Sequence, residues 1–134
     1  MFIMRLLLLA FPILVALGLS ATAQDLPDCD GNNMQLTQCV WDAYKKADAE
    51  LNSVWKQVIA TIKPDDFLPA DAAREWKDDL LASQRAWITF KEKDCDAVAF
   101  EWYGGSGANM AVGDCLYGHT VARTKDLKER YLSR

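Results

Sequence analysis

Leu80-Leu81-Ala82-Ser83-Gln84-Arg85-Ala86-Trp87-Ile88-Thr89-Phe90-Lys91-Glu92-Lys93-Asp94-Cys95 is the stretch around which the chain is organised. Leu80, Trp87, Phe90 and, farther on, Val98 fall near one face of a helix, with Ser83 or Gln84 one turn before Trp87. Most of the remaining positions are charged or small. A helix with one apolar face must bury it against other elements, so the neighbouring segments decide the fold.

Upstream, Leu36, Val40, Ala43, Ala47, Leu51, Val54, Val58 and Ile62 recur by threes and fours, which predicts a helix from about Met34 to Ile62. Tyr44, Trp55 and Ile59 widen its stripe. Asn32 or Asn33 is placed to cap its start, and Lys63-Pro64 ends it, because a residue before proline avoids the helical region. Phe67 and Leu68 are expected to fold back over the end of the core. The central helix then starts between Pro69 and Asp71 and runs to about Tyr103, where Gly104-Gly105-Ser106-Gly107 breaks it. A third helix follows over residues 108–132, with apolar positions Met110, Leu116, Val121 and Leu127, and with Gly113 and Gly118 weakening its first half. No stretch alternates with period two for long enough to make a strand. The expected fold is all-α, an antiparallel up-down bundle of three long helices.

The start of the chain is different in kind. Arg5 precedes the apolar run Leu6 to Leu19, and Ala21-Thr22-Ala23 forms a small-residue cleavage pattern. Residues 1–23 therefore read as a cleaved signal peptide and 24–134 as one helical domain, with no membrane span left after cleavage. Losing Arg5 lowers the 15 basic side chains to 14 against 19 acids, a net charge of −5. That balance argues against nucleic acid and favours a basic partner.

All four cysteines, Cys29, Cys39, Cys95 and Cys115, follow the cut, which suggests two disulfides in an exported domain. Cys95 and Cys115 each lie ten residues from Gly105, at equal height on neighbouring helices. A mirror about Asp66 brings Cys39 near the height of Cys95 as well, so height alone leaves the pairing open. The leading arrangement is Cys29–Cys39 with Cys95–Cys115, because the lead-in can fold back over the first helical turn. Cys39–Cys95 with Cys29–Cys115 is its rival. No metal site is expected, since there is no C-x-x-C and the only histidine, His119, stands four residues after Cys115.

The same mirrors bring Asp48, Asn52, Gln84, Arg85 and Arg123 to one height, as a polar layer that fixes helix register. Catalytic arrangements are missing. The adjacent pairs Asp65-Asp66 and Asp78-Asp79 point to different sides, and Ser83 and Ser106 have no base nearer than His119. The glycine turn lacks the Lys-Ser/Thr of a phosphate loop, and no cofactor is implied. The one surface with the makings of a binding site is the tip formed by Trp102, Tyr103, Gly104, Gly105 and Ser106, two aromatics beside a backbone free to approach a partner.

Three blocks together resemble the LprI-type lysozyme inhibitor family of bacterial exported proteins. They are Cys39-Val40-Trp41-Asp42-Ala43-Tyr44 continuing to Asn52, Gln84-Arg85-Ala86-Trp87-Ile88-Thr89-Phe90 followed by Cys95, and Cys115 followed by Thr120, Arg123, Leu127 and Tyr131. The resemblance implies a small helical domain of the cell envelope, periplasmic or secreted. It also implies, for at least some members, inhibition of lysozyme by direct binding without enzymatic activity. The alternative is a structural or accessory envelope protein that binds another envelope component and inhibits nothing.

Overall fold

The computed structural model describes residues 28–133, so the segment read as a signal peptide lies outside the described residues. Three α-helices make up nearly all of it: α1, Asn33–Thr61; α2, Ala70–Glu101; and α3, Ala108–Leu127, which runs into a π-helical turn, Lys128–Leu132. There is no strand among the described residues. The all-α bundle expected from the periodicity is the observed fold, with each predicted helix within two residues of its place at all but one end. That exception is the last turn of the third, which widens from α to π at Lys128.

Local chemistry explains the ends. The Asn32 side chain accepts hydrogen bonds from the Met34 and Gln35 N–H groups, both at 3.1 Å, and the Gln35 side-chain oxygen accepts one from the Asn32 N–H. This reciprocal box satisfies three donors that a helix start leaves free. Between α1 and α2, the Asp65 carboxylate accepts from the Phe67 and Leu68 N–H groups and shapes the connector. Leu68 packs against the core, but Phe67 is 97% exposed, contrary to the expectation that it covers the bundle end. With Asp65 holding both N–H groups, the two side chains cannot turn inward together, and the core takes Leu68.

α3 packs along both α1 and α2. Val40, Ala47, Leu51, Val54, Val58 and Ile62 of α1 are buried, following the predicted stripe. On α2 the buried seam runs through Ala73, Leu80, Gln84, Lys91 and Cys95, a spacing of alternating sevens and fours that carries two polar residues. Phe90 is off this seam and 56% exposed, with its ring edge-on to His119. On α3 the buried positions are Gly113, Gly118, Thr120, Thr124 and Leu127. Thr120 and Thr124 turn their hydroxyls back onto the carbonyls of Leu116 and Thr120, at 2.7 and 2.8 Å, and so bury without an external partner. Gly113 marks a close approach rather than a weak point. A Cβ there would stand 3.1 Å from both Trp41 Nε1 and Val40 Cγ1.

The bundle has two unlike ends. The base, where α1 meets α2, holds the continuous core of Leu51, Val54, Val58, Ile62, Ala73, Leu80 and Leu127, flanked by Trp55, Trp76, Trp87 and Tyr131. The capped end, where α2 turns into α3, carries both disulfides, Cys29–Cys39 with Cα atoms 5.9 Å apart and Cys95–Cys115 at 5.6 Å. No helix among the described residues is long and apolar enough to cross a membrane.

Candidate functional site

The polar layer at mid-height differs from the expected set. Arg123 donates from Nε to Gln84 Oε1 at 3.0 Å and from an Nη to Asp126 at 2.9 Å, and its guanidinium lies over the Trp87 ring at 5.9 Å. Asp126 also receives Arg130 at 2.7 Å. Asp48 is bonded instead to Asn52, one turn away on its own helix, and Arg85 is an exposed residue whose carbonyl serves Thr89. Of the five residues expected to meet, Gln84 and Arg123 meet each other, and Asp48 meets Asn52. The acid that pairs with Arg123 comes from α3 itself, three residues on, because that partner is already on the same helical face. Lys91 was not foreseen. It is 4% exposed, donates to the Tyr44 hydroxyl at 3.3 Å, and lies 5.2 and 5.0 Å from the Tyr44 and Trp87 ring centres. Aromatic faces substitute here for a carboxylate. This layer fills its own interior and joins the helices.

The capped end is where groups face outward. Gly104 adopts a φ of +79°, and the Gly105 N–H closes the turn on the Trp102 carbonyl at 2.8 Å. The Asn33 side chain reaches across from α1 to the Ser106 hydroxyl at 3.1 Å, so Ser106 is a tether and not a free contact. Trp41 Nε1 donates to the Asn109 carbonyl at 3.1 Å, a second tie between α1 and α3. The Trp102 indole lies across Gly107, where a Cβ would stand 3.0 Å from its Cε3. The turn is therefore fixed from three sides, while Trp102 is 49% exposed, Tyr103 87%, and Phe100 and Met34 also face solvent.

Beside Trp102 a groove of about 260 Å³ opens between α1 and α3, lined by Cys29, Leu36, Val40, Met110, Ala111 and Asp114. Burial holds the Asp114 carboxyl above its ordinary range. The His119 ring donates from Nε2 to the Asp94 carboxylate at 2.7 Å and stands near the second disulfide. Cys95, Cys115 and His119 place their ligand atoms within 4.8 Å of one another, yet both sulfurs are taken up by the bond between them, which leaves this cluster without thiolates for a metal.

Charge is distributed as unevenly as apolar packing. Residues 28–44 and 94–122 build the capped half. They contain Asp28, Asp30, Asp42, Asp94, Asp96, Glu101 and Asp114, with no lysine or arginine, while Lys91 of α2 reaches Tyr44 at the inner edge of this half. Lys45 and Lys93 stand at the boundary and pair with Asp42 and Asp96, and His119 pairs with Asp94. Asp28, Asp30, Glu101 and Asp114 have no cationic partner among the described residues. The polarity is visible in the sequence only after the antiparallel fold superposes its two segments, which lie far apart in the chain.

A family model described as lysozyme inhibitor LprI matches residues 28–127. The chain is 36% identical to an uncharacterised protein of Rhizobium meliloti (strain 1021), over 90% of this chain and 91% of that one. No solved structure matches.

Proposed function

The chain belongs to the LprI lysozyme-inhibitor family, and from that premise we propose that it is an exported, non-enzymatic protein that blocks a basic lysozyme-type peptidoglycan hydrolase with the capped end of its bundle. In this reading residues 1–23 are the leader, 24–134 form the single mature domain, and the site of action is the periplasm or the exterior. The observation that supports it most is the coincidence, at one end, of exposed Trp102 and Tyr103 with four acids, Asp28, Asp30, Glu101 and Asp114, that pair with no lysine or arginine among the described residues. Aromatic side chains supply contact area at low entropy cost, and the disulfides and tethers around Gly104–Gly107 keep that cost low for the backbone too. The acidic field accelerates encounter with a basic enzyme, so added salt should slow association more than it hastens release.

The test is protection of bacterial cell walls from a basic lysozyme by the oxidised protein recovered after export. Dose-dependent protection is expected. Trp102→Ala with Tyr103→Ala should abolish it while leaving the helical signal and thermal midpoint nearly unchanged, because Trp102 and Tyr103 are both exposed and neither belongs to the buried core. Protection that survives the double change moves the surface elsewhere, with the exposed α2 residues Leu81 and Ile88 next to be altered. Absence of protection across several lysozyme classes supports the accessory envelope role instead.

A further inference from the structure

The groove beside Trp102 holds an acid in surroundings that do not suit one. The Asp114 carboxylate has no hydrogen bond or ion pair within the protein among the described residues, and its neighbours in the groove are apolar side chains and the Cys29 half of a disulfide. Unpaired carboxylates are normally found in open solvent, since removing them from water is costly. Here the backbone leaves Asp114 little freedom to escape. It follows Gly113, which is pressed against Val40 and Trp41, and precedes Cys115, which is bonded to Cys95. Nor does the chain supply a counter-charge, since no lysine or arginine among the described residues pairs with Asp114, and the nearby Lys45 and Lys93 are taken by Asp42 and Asp96. A cation that pairs with Asp114 would therefore come from outside.

Resting on the reading of this end as the binding surface, we infer that the groove receives one arginine side chain projected by the protein partner, its guanidinium on Asp114 and against the Trp102 indole, its methylenes along Leu36 and Met110. The groove, at about 260 Å³, is just under the roughly 300–1,000 Å³ of pockets for free small molecules, and suits a single long side chain. Arginine fits better than lysine. Its planar head stacks on an aromatic face while offering a carboxylate two parallel N–H groups, and it sheds water more readily than an ammonium. The Trp102 ring already lies against Gly107 and lines the groove, so it stands where one wall is needed.

Two measurements test this, and they separate the groove from the enzyme. In the first, the oxidised protein is titrated with N-acetyl-arginine amide and, separately, with the neutral isostere N-acetyl-citrulline amide, while the Trp102 indole N–H and the Asp114 backbone are followed by NMR. Saturable shifts from the arginine compound alone, lost in Asp114→Asn, are the expected result. Equal shifts from citrulline, no saturable shift, or shifts that persist in Asp114→Asn would overturn the inference. In the second, affinity for a basic lysozyme is compared between the unaltered protein and Asp114→Asn, with the thermal midpoint as the control for folding. The variant is expected to bind about tenfold or more weakly, mostly through faster release, as for loss of a partly buried charge partner. Unchanged affinity in the variant would remove the groove from the interface while leaving the inhibitor reading intact. If the unaltered protein binds no lysozyme but the first measurement succeeds, the arginine groove stands and its partner is another basic protein.

Discussion

At the base of the bundle Leu51, Val54, Val58, Ile62, Leu80 and Leu127 are buried in one cluster, whereas in the capped half Val40 and Cys95 are the buried apolar side chains and two disulfides join the segments. An apolar core and a covalent frame are alternative answers to the same entropy cost of folding. The difference teaches what the frame makes possible. A half-bundle held by cross-links need not bury its large side chains, so Phe100, Trp102 and Tyr103 remain outside. Nor must it balance its charge to hold together: of its seven acids, Asp42 and Asp96 pair with the bordering Lys45 and Lys93, Asp94 with His119, and four have no cationic partner among the described residues. The base half, with 13 basic against 11 acidic side chains over residues 45–93 and 123–133, has no such field.

The largest expected effect lies at the base. Leu127 is fully buried where α3 meets the core, and Leu127→Ala should cost about 3–5 kcal/mol, read as a fall in the urea midpoint with an unchanged slope. Next is the frame. Replacing both Cys95 and Cys115 by alanine releases a loop of 20 residues and should cost about 3 kcal/mol on the loop-entropy account. The two variants should differ in where they loosen. Hydrogen exchange should accelerate first in residues 94–122 when the disulfide is removed, and throughout the bundle when Leu127 is truncated. Uniform acceleration in the disulfide variant would mean that the two halves are one cooperative unit, and the distinction between them would lapse.

The base was legible and the middle was not, for a physical reason that particular residues show. On α1 the buried face is almost purely apolar, and spacing by threes and fours locates it to the residue. On α3 the buried face consists of two glycines, two threonines and Leu127, none of which except the last announces burial in a sequence. Glycine is inside because a backbone must come close, and threonine because its hydroxyl can satisfy itself on the preceding turn. On α2, Phe90 drew the stripe to the wrong side, while Lys91, the residue beside it, is the one that is buried. A lysine between two aromatic rings has no local signature, since Tyr44 and Trp87 come from different helices. The mirrors through the turns set Gln84 opposite Asp48 and Arg123 opposite Trp87, and Gln84 and Arg123 of that layer are bonded, but height says nothing of which face a residue occupies. Asp48 and Arg85 were lost on that point. At the tip, the aromatics and glycines stood together in the chain and were readable there. The Asp114 groove was not, because its walls come from residues 29, 36 and 40 as well as 102–114.

Arg123 measures what joins the halves. Its side chain is 13% exposed, and one of its Nη groups is buried without a partner. Arg123→Ala should cost about 1–2 kcal/mol, since it leaves the buried Gln84 oxygen unpaired but also removes that unsatisfied donor. Arg123→Met should recover part of the loss by restoring the packing on Trp87. A thermal shift no larger than for an exposed lysine such as Lys56 would show that the layer adds no cohesion between base and cap.

The smallest expected effect reduces the comparison to single acids. Asp114 and Asp42 both belong to the capped half, but their surroundings act in opposite directions. Burial in the groove raises the Asp114 carboxyl, whereas the hydrogen bond from the Gln38 side chain, at 3.0 Å, lowers that of Asp42. A carboxyl that binds its proton more tightly when folded favours the fold at low pH, and that advantage is lost as pH rises through its raised value. At neutral pH an ionised Asp114 therefore weighs against the folded state. Asp114→Asn should raise the thermal midpoint slightly at neutral pH, and the gain should vanish on acidification through the carboxylate range. No other titrating side chain lines the groove, so the change can be assigned to this residue. Asp42 carries the opposite sign. Its contribution is present above the ordinary carboxylate range and is lost as pH falls, so Asp42→Asn should give no gain at neutral pH and a small loss at most. Parallel thermal scans of the two variants across pH decide the matter. If Asp114→Asn also lowers the midpoint at neutral pH, the carboxylate already has a favourable partner inside the protein, and the capped end is less strained by its charge than its composition implies.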